Sequence, residues 1–219
     1  MLVKDCMTRH PIMAPPTMPA AEAQQLMKDN RIRHLPVVGD GKRLLGILTQ
    51  MDLTLDPGQL GSLDVWEITR HLSRVTVRQL MSPADAVVTI TPERTIERAA
   101  QQMIQHKIGC LPVIEGDGVV VGILTETDLL NAFQLMLGLP SEGVRVTVRM
   151  LDRQGEFAKL SKILGEQGWG VMGIGTFPTP RHEGYYDAVV KISHVTPQEV
   201  MDVLNGIPDQ KVVDIREAA

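Results

Sequence analysis

Residues 46–52 read GILTQMD, and residues 122–128 read GILTETD. The two stretches keep Gly, Ile, Leu, Thr and Asp at a constant offset of 76 residues. The match extends outward at the same offset to Leu-Pro-Val at residues 35–37 and 111–113. Agreement over this length at one offset indicates an internal repeat, in which each copy is one supersecondary unit.

The composition limits the classes of protein that need to be considered. A chain of 219 residues with 43% apolar content can form two or three small domains. With seven aromatic residues and a net charge of −4, we expect no nucleic-acid partner. No apolar run approaches the roughly 18 residues of a membrane helix, and the first residues lack the basic and apolar regions of a signal peptide. We therefore expect a soluble, cytoplasmic protein without a membrane partner.

Each copy predicts the same order of elements. A short strand, at residues 12–14 and 87–90, precedes a stretch with one apolar face that predicts a helix. In both copies, two short apolar runs separated by Gly-Asp-Gly then predict a β-hairpin with a tight turn. A second helix begins near Thr49 and Thr125. Between the copies, residues 59–76 predict a linking helix in which Trp66 is a packing anchor.

The pattern changes after the second copy. Residues 144–151 alternate as a strand, and residues 156–168 place apolar side chains on one helical face that ends at Gly168. Two strands follow, then a helix with Thr196 as its N-cap, and a closing strand. The order βαββαβ predicts a ferredoxin-like domain, so the fold class is mixed α/β (α+β).

The remaining motifs argue against catalysis and metal binding. The run GWGVMG at residues 168–173 satisfies G-x-G-x-x-G, but it follows a helix and enters a strand, the reverse of a dinucleotide fingerprint. No nucleophile with a recognisable base is present. Cys6, Cys110 and the six scattered His residues form no metal motif, and Cys110, within an apolar run, is interpreted as a small buried side chain.

The repeated Thr and Asp have two interpretations. Thr49 and Asp52, like Thr125 and Asp128, lie three residues apart, which is one helical turn. Their hydroxyl and carboxylate could bind the phosphate and ribose of a ligand. Alternatively, Thr is an N-cap and Asp a favourable charge in the first turn. Retention of both polar positions in both copies favours the ligand interpretation.

These residues resemble a tandem pair of cystathionine-β-synthase (CBS) domains over residues 1–137. The resemblance implies a pseudo-two-fold Bateman module whose clefts bind AMP, ADP, ATP or S-adenosylmethionine. It assigns Asp52 and Asp128 to ribose, and Thr49 and Thr125 to ribose or phosphate. The main chain near Ile12, Val88, His34 and Cys110 would frame adenine, and flanking cations such as Arg33 would favour a polyphosphate at the first site.

The C-terminal part resembles an ACT domain. Asp152 and Gly155, in its first strand-to-helix turn, are where members of that family often receive an amino acid, although a purely dimerising role remains an alternative. The resulting domains are CBS 1 at 1–58, the linking helix at 59–76, CBS 2 at 77–137, a linker at 138–142 and ACT at 143–219. The whole arrangement is similar to the acetoin-utilisation B-type proteins.

Together these features predict a non-catalytic sensor. Adenine nucleotide would bind the CBS clefts without any required cofactor, and a homodimer would change conformation and signal to an unidentified regulated protein. Two alternatives remain open: a structural adaptor without ligand, and a nucleotide-acting enzyme.

Overall fold

The computed structural model describes residues 1–54 and 74–218. The chain divides into two compact units, Met1–Leu129 (unit 1) and Leu130–Ala219 (unit 2). The predicted linking helix with Trp66 falls almost entirely outside the described residues. The predicted domain boundaries remain a prediction.

Unit 1 contains the two copies of the repeat. The elements are α1 Val3–Cys6, β1 Thr8–Arg9, α2 Ala20–Asp29, β2 His34–Val38, β3 Leu44–Thr49, α3 Val77–Leu80, β4 Ser82–Pro83, α4 Ile96–His106, β5 Cys110–Glu115, β6 Val119–Thr125 and the start of α5 Glu126–Met136. The predicted order of helix, strand, turn and strand is therefore confirmed in both copies. The strands predicted ahead of α2 and α4 are reduced to single parallel bridges, Ala14 with Val37 and Ile90 with Val113.

The turn of the first hairpin is longer than the predicted tight turn. Gly39–Arg43 connects β2 to β3, and Asp40–Lys42 forms one turn of 3-10 helix. Gly41 has φ 64°, in the left-handed region that glycine adopts without strain. The Gly-Asp-Gly signal thus predicted the reversal correctly, but the reversal takes five residues.

Short segments exchange between the two copies. β1 pairs antiparallel with β6 of the second copy, with Thr8 opposite Ile123. β4 pairs antiparallel with β3 of the first copy, with Ser82 opposite Ile47. Each copy therefore completes its three-stranded sheet with a strand that precedes the other copy's first helix.

Each copy has its own hydrophobic core, and each core includes a residue from the segment that precedes the other copy. α2 and α4 bury a small residue and a methionine one turn apart, Ala23 with Met27 and Ala99 with Met103. These faces pack on the hairpins. The first core contains Ala14, Ala20, Ala23, Met27, Leu35, Val37, Leu48, Leu53 and Val77, and the second contains Val3, Ile90, Ala99, Met103, Leu111, Val113 and Leu124. Val77 and Val3 thus each enter the core of the other copy.

Unit 2 has the predicted βαββαβ order. Its elements after α5 are β7 Gly143–Leu151, α6 Glu156–Glu166, β8 Gly170–Pro178, β9 Tyr185–Ser193, α7 Pro197–Leu204 and β10 Lys211–Ala218. The four strands form an antiparallel sheet in the order β10-β7-β9-β8. Leu160 and Leu204 of the two helices pack against Val146 and Val190 in its core. The predicted N-cap is confirmed, since Thr196 Oγ1 accepts from Glu199 N–H at 3.3 Å.

The glycines of the run GWGVMG have structural roles. Gly168, just after α6, has φ 68°. A Cβ on Gly173 of β8 would lie 2.3 Å from the carbonyl carbon of Leu137, so only glycine permits this close backbone approach. The glycines of this run therefore end α6 and allow β8 to approach the backbone of Leu137 within unit 2.

Candidate functional site

The two Thr-Asp pairs form the same hydrogen bonds. Thr49 donates its N–H and its hydroxyl to Asp52 Oδ2, at 2.7 and 2.8 Å, and Asp52 N–H donates back to Thr49 Oγ1 at 3.4 Å. The corresponding distances between Thr125 and Asp128 are 2.8, 2.7 and 3.3 Å. This reciprocal arrangement is a capping box. Because the described bonds all use Oδ2, Oδ1 of each Asp keeps its acceptor capacity for a further donor.

The hairpin register places the neighbouring predicted residues. His34 lies opposite Thr49, and Cys110 lies opposite Thr125. In both copies, the residue after the Thr donates a backbone hydrogen bond to the residue just before the other strand of the hairpin. Gln50 N–H donates to the Arg33 carbonyl at 2.9 Å, and Glu126 N–H donates to the Gly109 carbonyl at 3.1 Å. The backbone therefore holds His34 and Gln50 of the first copy at the same positions as Cys110 and Glu126 of the second copy.

A cavity of about 580 Å³ lies within unit 1. Its described lining comes from both copies: Arg33, His34, Ile47, Thr49, Gln50, Met51, Thr54, Ser82, Ala86, Val87, Val88, Lys107, Ile108, Gly109, Cys110, Pro112 and Glu126. The cavity is shared because the hairpins of the two copies meet there, with Ile47, Ile123 and Cys110 buried in one cluster.

The structure groups the predicted nucleotide residues differently from the sequence. Five of the nine line this cavity: Arg33, His34, Thr49, Val88 and Cys110. The remaining four, Ile12, Asp52, Thr125 and Asp128, are outside its described lining. The sequence grouped residues by copy, whereas the cavity combines Thr49 of the first copy with Val88 and Cys110 of the second.

The sequence analysis did not assign Gln50 and Glu126 to the site, because they differ between the copies. Both line the cavity. The available signal was their place directly after the repeated Thr, at a strand end that the backbone holds fixed.

The charges in the cavity are mixed. Arg33 and Lys107 are cationic, and Glu126 is acidic. Burial, aided by the charge of Arg33, lowers the pKa of His34 below its ordinary 6.5, although Glu126 and Asp52 oppose the shift. Its imidazole is therefore mainly neutral at pH 7. Burial raises the pKa of the Cys110 thiol to about 12, and this side chain is 6% exposed, which confirms its interpretation as a small buried residue.

A second cavity of about 350 Å³ lies within unit 2. Its described lining consists of Met150, Leu151, Asp152, Arg153, Glu156, Phe157, Ile174, Gly175, Thr176 and Tyr186. Of the two residues predicted to bind an amino acid, Asp152 lines this cavity. Gly155 lies outside the described lining and has φ 87° at the start of α6.

Glu156 organises the charges beside the second cavity. It is 2% exposed and accepts from Lys159 Nζ at 2.8 Å and from Arg153 Nε at 2.6 Å. The bond from Lys159, with those from Arg153 and Gln210, lowers the pKa of Glu156 to about 2, against the effect of desolvation. The Glu156 carboxylate is therefore already neutralised by protein groups.

Residues 1–54 and 74–218 contain neither a membrane-spanning helix nor a metal-binding cluster. No described helix is long and apolar enough to span a membrane. Within the same ranges, no three His, Cys, Asp or Glu side chains are arranged to hold a metal ion.

Comparison with known proteins agrees with the repeat and its hairpins. The CBS domain model matches residues 3–55 and 77–135, which together are half of the chain. The chain belongs to the CBS domain family. Its two copies are the two CBS domains of a tandem pair.

Solved CBS proteins resemble the pair. AcuB of Vibrio cholerae, named for acetoin utilization, is 33% identical with a TM-score of 0.50, and the match covers 61% of this chain and 90% of AcuB. MJ1225 of Methanocaldococcus jannaschii is 30% identical with a TM-score of 0.51, covering 60% and 47% of the two chains. The CBS pair of MJ0100, solved in complex with 5′-methylthioadenosine and S-adenosyl-L-methionine, is 27% identical with a TM-score of 0.49, covering 61% and 95%.

Curated relatives are longer than the matched region. The match covers 21%, 23% and 47% of three of them, so the chain spans less than half of each.

Proposed function

We propose that this CBS protein is a non-catalytic regulatory sensor that binds an adenosine compound in the cavity of unit 1. The observation that carries the proposal is the shared cavity of about 580 Å³, which places Thr49 with Arg33, Lys107 and His34. A volume of this size suits a nucleotide, since small-molecule sites usually occupy roughly 300–1,000 Å³. AMP, ADP, ATP and S-adenosylmethionine are the candidate ligands.

The side chains supply the contacts that such a ligand needs. Arg33 and Lys107 offer donors and positive charge to a phosphate. The neutral imidazole of His34 offers one donor and one acceptor. Thr49 contributes a hydroxyl at the cavity wall, and the bond from this hydroxyl to Asp52 Oδ2 orients it. The apolar remainder, including Ile47 and Val88, suits a base.

For unit 2, the proposal is an ACT domain that binds an amino acid. Support comes from the sheet order β10-β7-β9-β8 and from the second cavity, which has Asp152 at its wall. Asp152 would accept from the ligand ammonium group beside the turn at Gly155, because Glu156 is already paired with protein cations. A purely dimerising unit is the competing proposal.

Signalling is proposed to occur through a homodimer, with a regulated protein as the partner. β8 is an edge strand of the unit 2 sheet and carries no charged residue between Gly170 and Pro178. Val171 and Ile174 on it are 45% and 40% exposed. Uncharged edges of this kind readily pair with another strand. A role in acetoin utilisation is proposed on the likeness to AcuB alone.

The test is calorimetric titration with AMP, ADP, ATP and S-adenosylmethionine. Thr49→Val keeps the side-chain shape and removes the hydroxyl, so we expect about a tenfold loss of affinity, the equivalent of about one hydrogen bond. Thr125→Val is the matched control, because it loses the same capping bonds but does not line the cavity. We expect its affinity to stay within about twofold.

Two outcomes would change the proposal. If none of the four compounds binds the wild-type protein, the structural adaptor becomes the leading proposal. If both Thr variants lose affinity equally, the cavity is not the binding site. The enzyme alternative has no supporting observation in the described residues, and turnover of any of the four compounds would revive it.

A further inference from the structure

Glu126 projects into the cavity from the first residue of α5. Its Oε2 lies 3.4 Å from the point that a Cβ on Gly109 would occupy, and His34 Nε2 lies at the same distance from that point. The carboxylate and the imidazole of the other copy therefore both lie beside Gly109, a residue that has no side chain. The carboxylate also acts on the pKa of His34, in opposition to burial.

This carboxylate changes the charge of the cavity. Among its described lining residues, Arg33 and Lys107 are cationic and Glu126 alone is acidic. With His34 mainly neutral, these side chains sum to one positive charge instead of two. The first copy has the uncharged Gln50 at the equivalent position, and Gln50 also lines the cavity. The acidic group is thus an addition by one copy to an otherwise basic site.

We propose that Glu126 is a specificity-determining residue that limits the negative charge of the bound ligand. Each further phosphate adds repulsion from the carboxylate, whereas a positively charged group on the ligand adds attraction. The carboxylate therefore weakens the preference that Arg33 and Lys107 alone would give to a di- or triphosphate, and it favours an adenosine compound with one phosphate or a cationic substituent. This inference rests on the proposed function. It runs against the expectation from the flanking cations alone, which favoured a polyphosphate.

The experiment measures how affinity depends on ligand charge. AMP, ADP, ATP and S-adenosylmethionine are titrated into the wild-type protein and Glu126→Gln at low ionic strength. We expect the ratio of ATP affinity to AMP affinity to rise at least about fivefold in the variant, while S-adenosylmethionine affinity falls. Raising the salt concentration should shrink both changes through screening.

Two further variants complete the test. Glu22→Gln makes the same change in net charge at an exposed site on α2 outside the described lining, and it should leave the ratio unchanged. Gln50→Glu adds a carboxylate at the equivalent position of the first copy, and it should lower the ratio. Glu126→Gln should raise the ratio of ATP affinity to AMP affinity, and Gln50→Glu should lower it. If one variant fails to fold, the other still tests the effect of the carboxylate on this ratio.

The outcomes separate the two proposals. A change that scales with ligand charge supports the role of Glu126. An equal change for all four ligands, or no change, overturns that role while leaving the proposed function intact. Failure of the wild-type protein to bind any of them removes both.

Discussion

The two CBS copies have the same backbone frame and different cavity side chains. Both make the same Thr-Asp hydrogen bonds, and both tie the following residue to the partner strand. At equivalent positions, however, the first copy has Arg33, His34 and Gln50, and the second has Gly109, Cys110 and Glu126. All six line the one cavity. The residues that repeat therefore hold the strand ends in place, and the residues that differ give the cavity its mixed charge.

The largest expected difference between the copies concerns the glycines under the exchanged strands. A Cβ on Gly46 would lie 2.3 Å from the backbone oxygen of Ser82, whereas the nearest atom to a Cβ on Gly122 is the flexible Met7 Sδ, at 2.6 Å. We expect Gly46→Ala to lower the free energy of unfolding by about 3 kcal/mol and Gly122→Ala by about 1 kcal/mol. Urea titration followed by circular dichroism measures both.

Gly165→Ala is the control for that pair. A Cβ there, on α6, meets nothing within 4 Å, and alanine favours a helix over glycine. Stability should rise slightly. Equal losses of stability for Gly46→Ala and Gly122→Ala would show that both exchanged strands accommodate the added methyl group equally well, contrary to the structure.

A smaller effect should be equal in the two copies. Asp52→Ala and Asp128→Ala each remove the carboxylate that accepts from its Thr, and each should cost about 1 kcal/mol of stability without ligand. Thermal unfolding of the two variants, measured side by side, tests this equality. A loss confined to one copy would mean that the capping boxes are not equivalent, despite their matching distances.

The smallest effect depends on pH and arises in the first copy. The pKa of His34 in the folded protein lies below its ordinary 6.5, so the unfolded chain takes up the proton first as the pH falls. Stability contributed by neutral His34 is therefore present above pH 6.5 and decreases as the pH drops toward the lowered pKa. His34→Cys, which copies the second repeat, should reduce this slope. Unfolding midpoints at pH 8 and pH 5.5 test it, and an unchanged slope would contradict it.

Much of the fold could be predicted from local pattern. The hairpins around Leu35 and Leu111, the helices α2, α4 and α5 and the βαββαβ order of unit 2 agree with the structure. The helix predicted near Thr49 is described only as a turn of 3-10 helix, Met51–Leu53. The exchange of β1 and β4 could not be predicted, because each has two residues and its pairing depends on packing far along the chain. For the same reason, the sequence identified Thr49 and Cys110 as site residues but did not place them at one cavity.

The exchanged strands also constrain how this protein can fold during synthesis. Thr8 and Arg9 pair with Ile123 and Gly122, more than a hundred residues later. During synthesis on a ribosome, β1 therefore stays unpaired until nearly the whole of unit 1 has been made. In the same way, β3 cannot pair with β4 until residues 82 and 83 have been synthesised. Contacts at such separation slow folding, because the intervening chain has to be closed into a loop first. We expect the two CBS domains to acquire protease resistance together, late in translation.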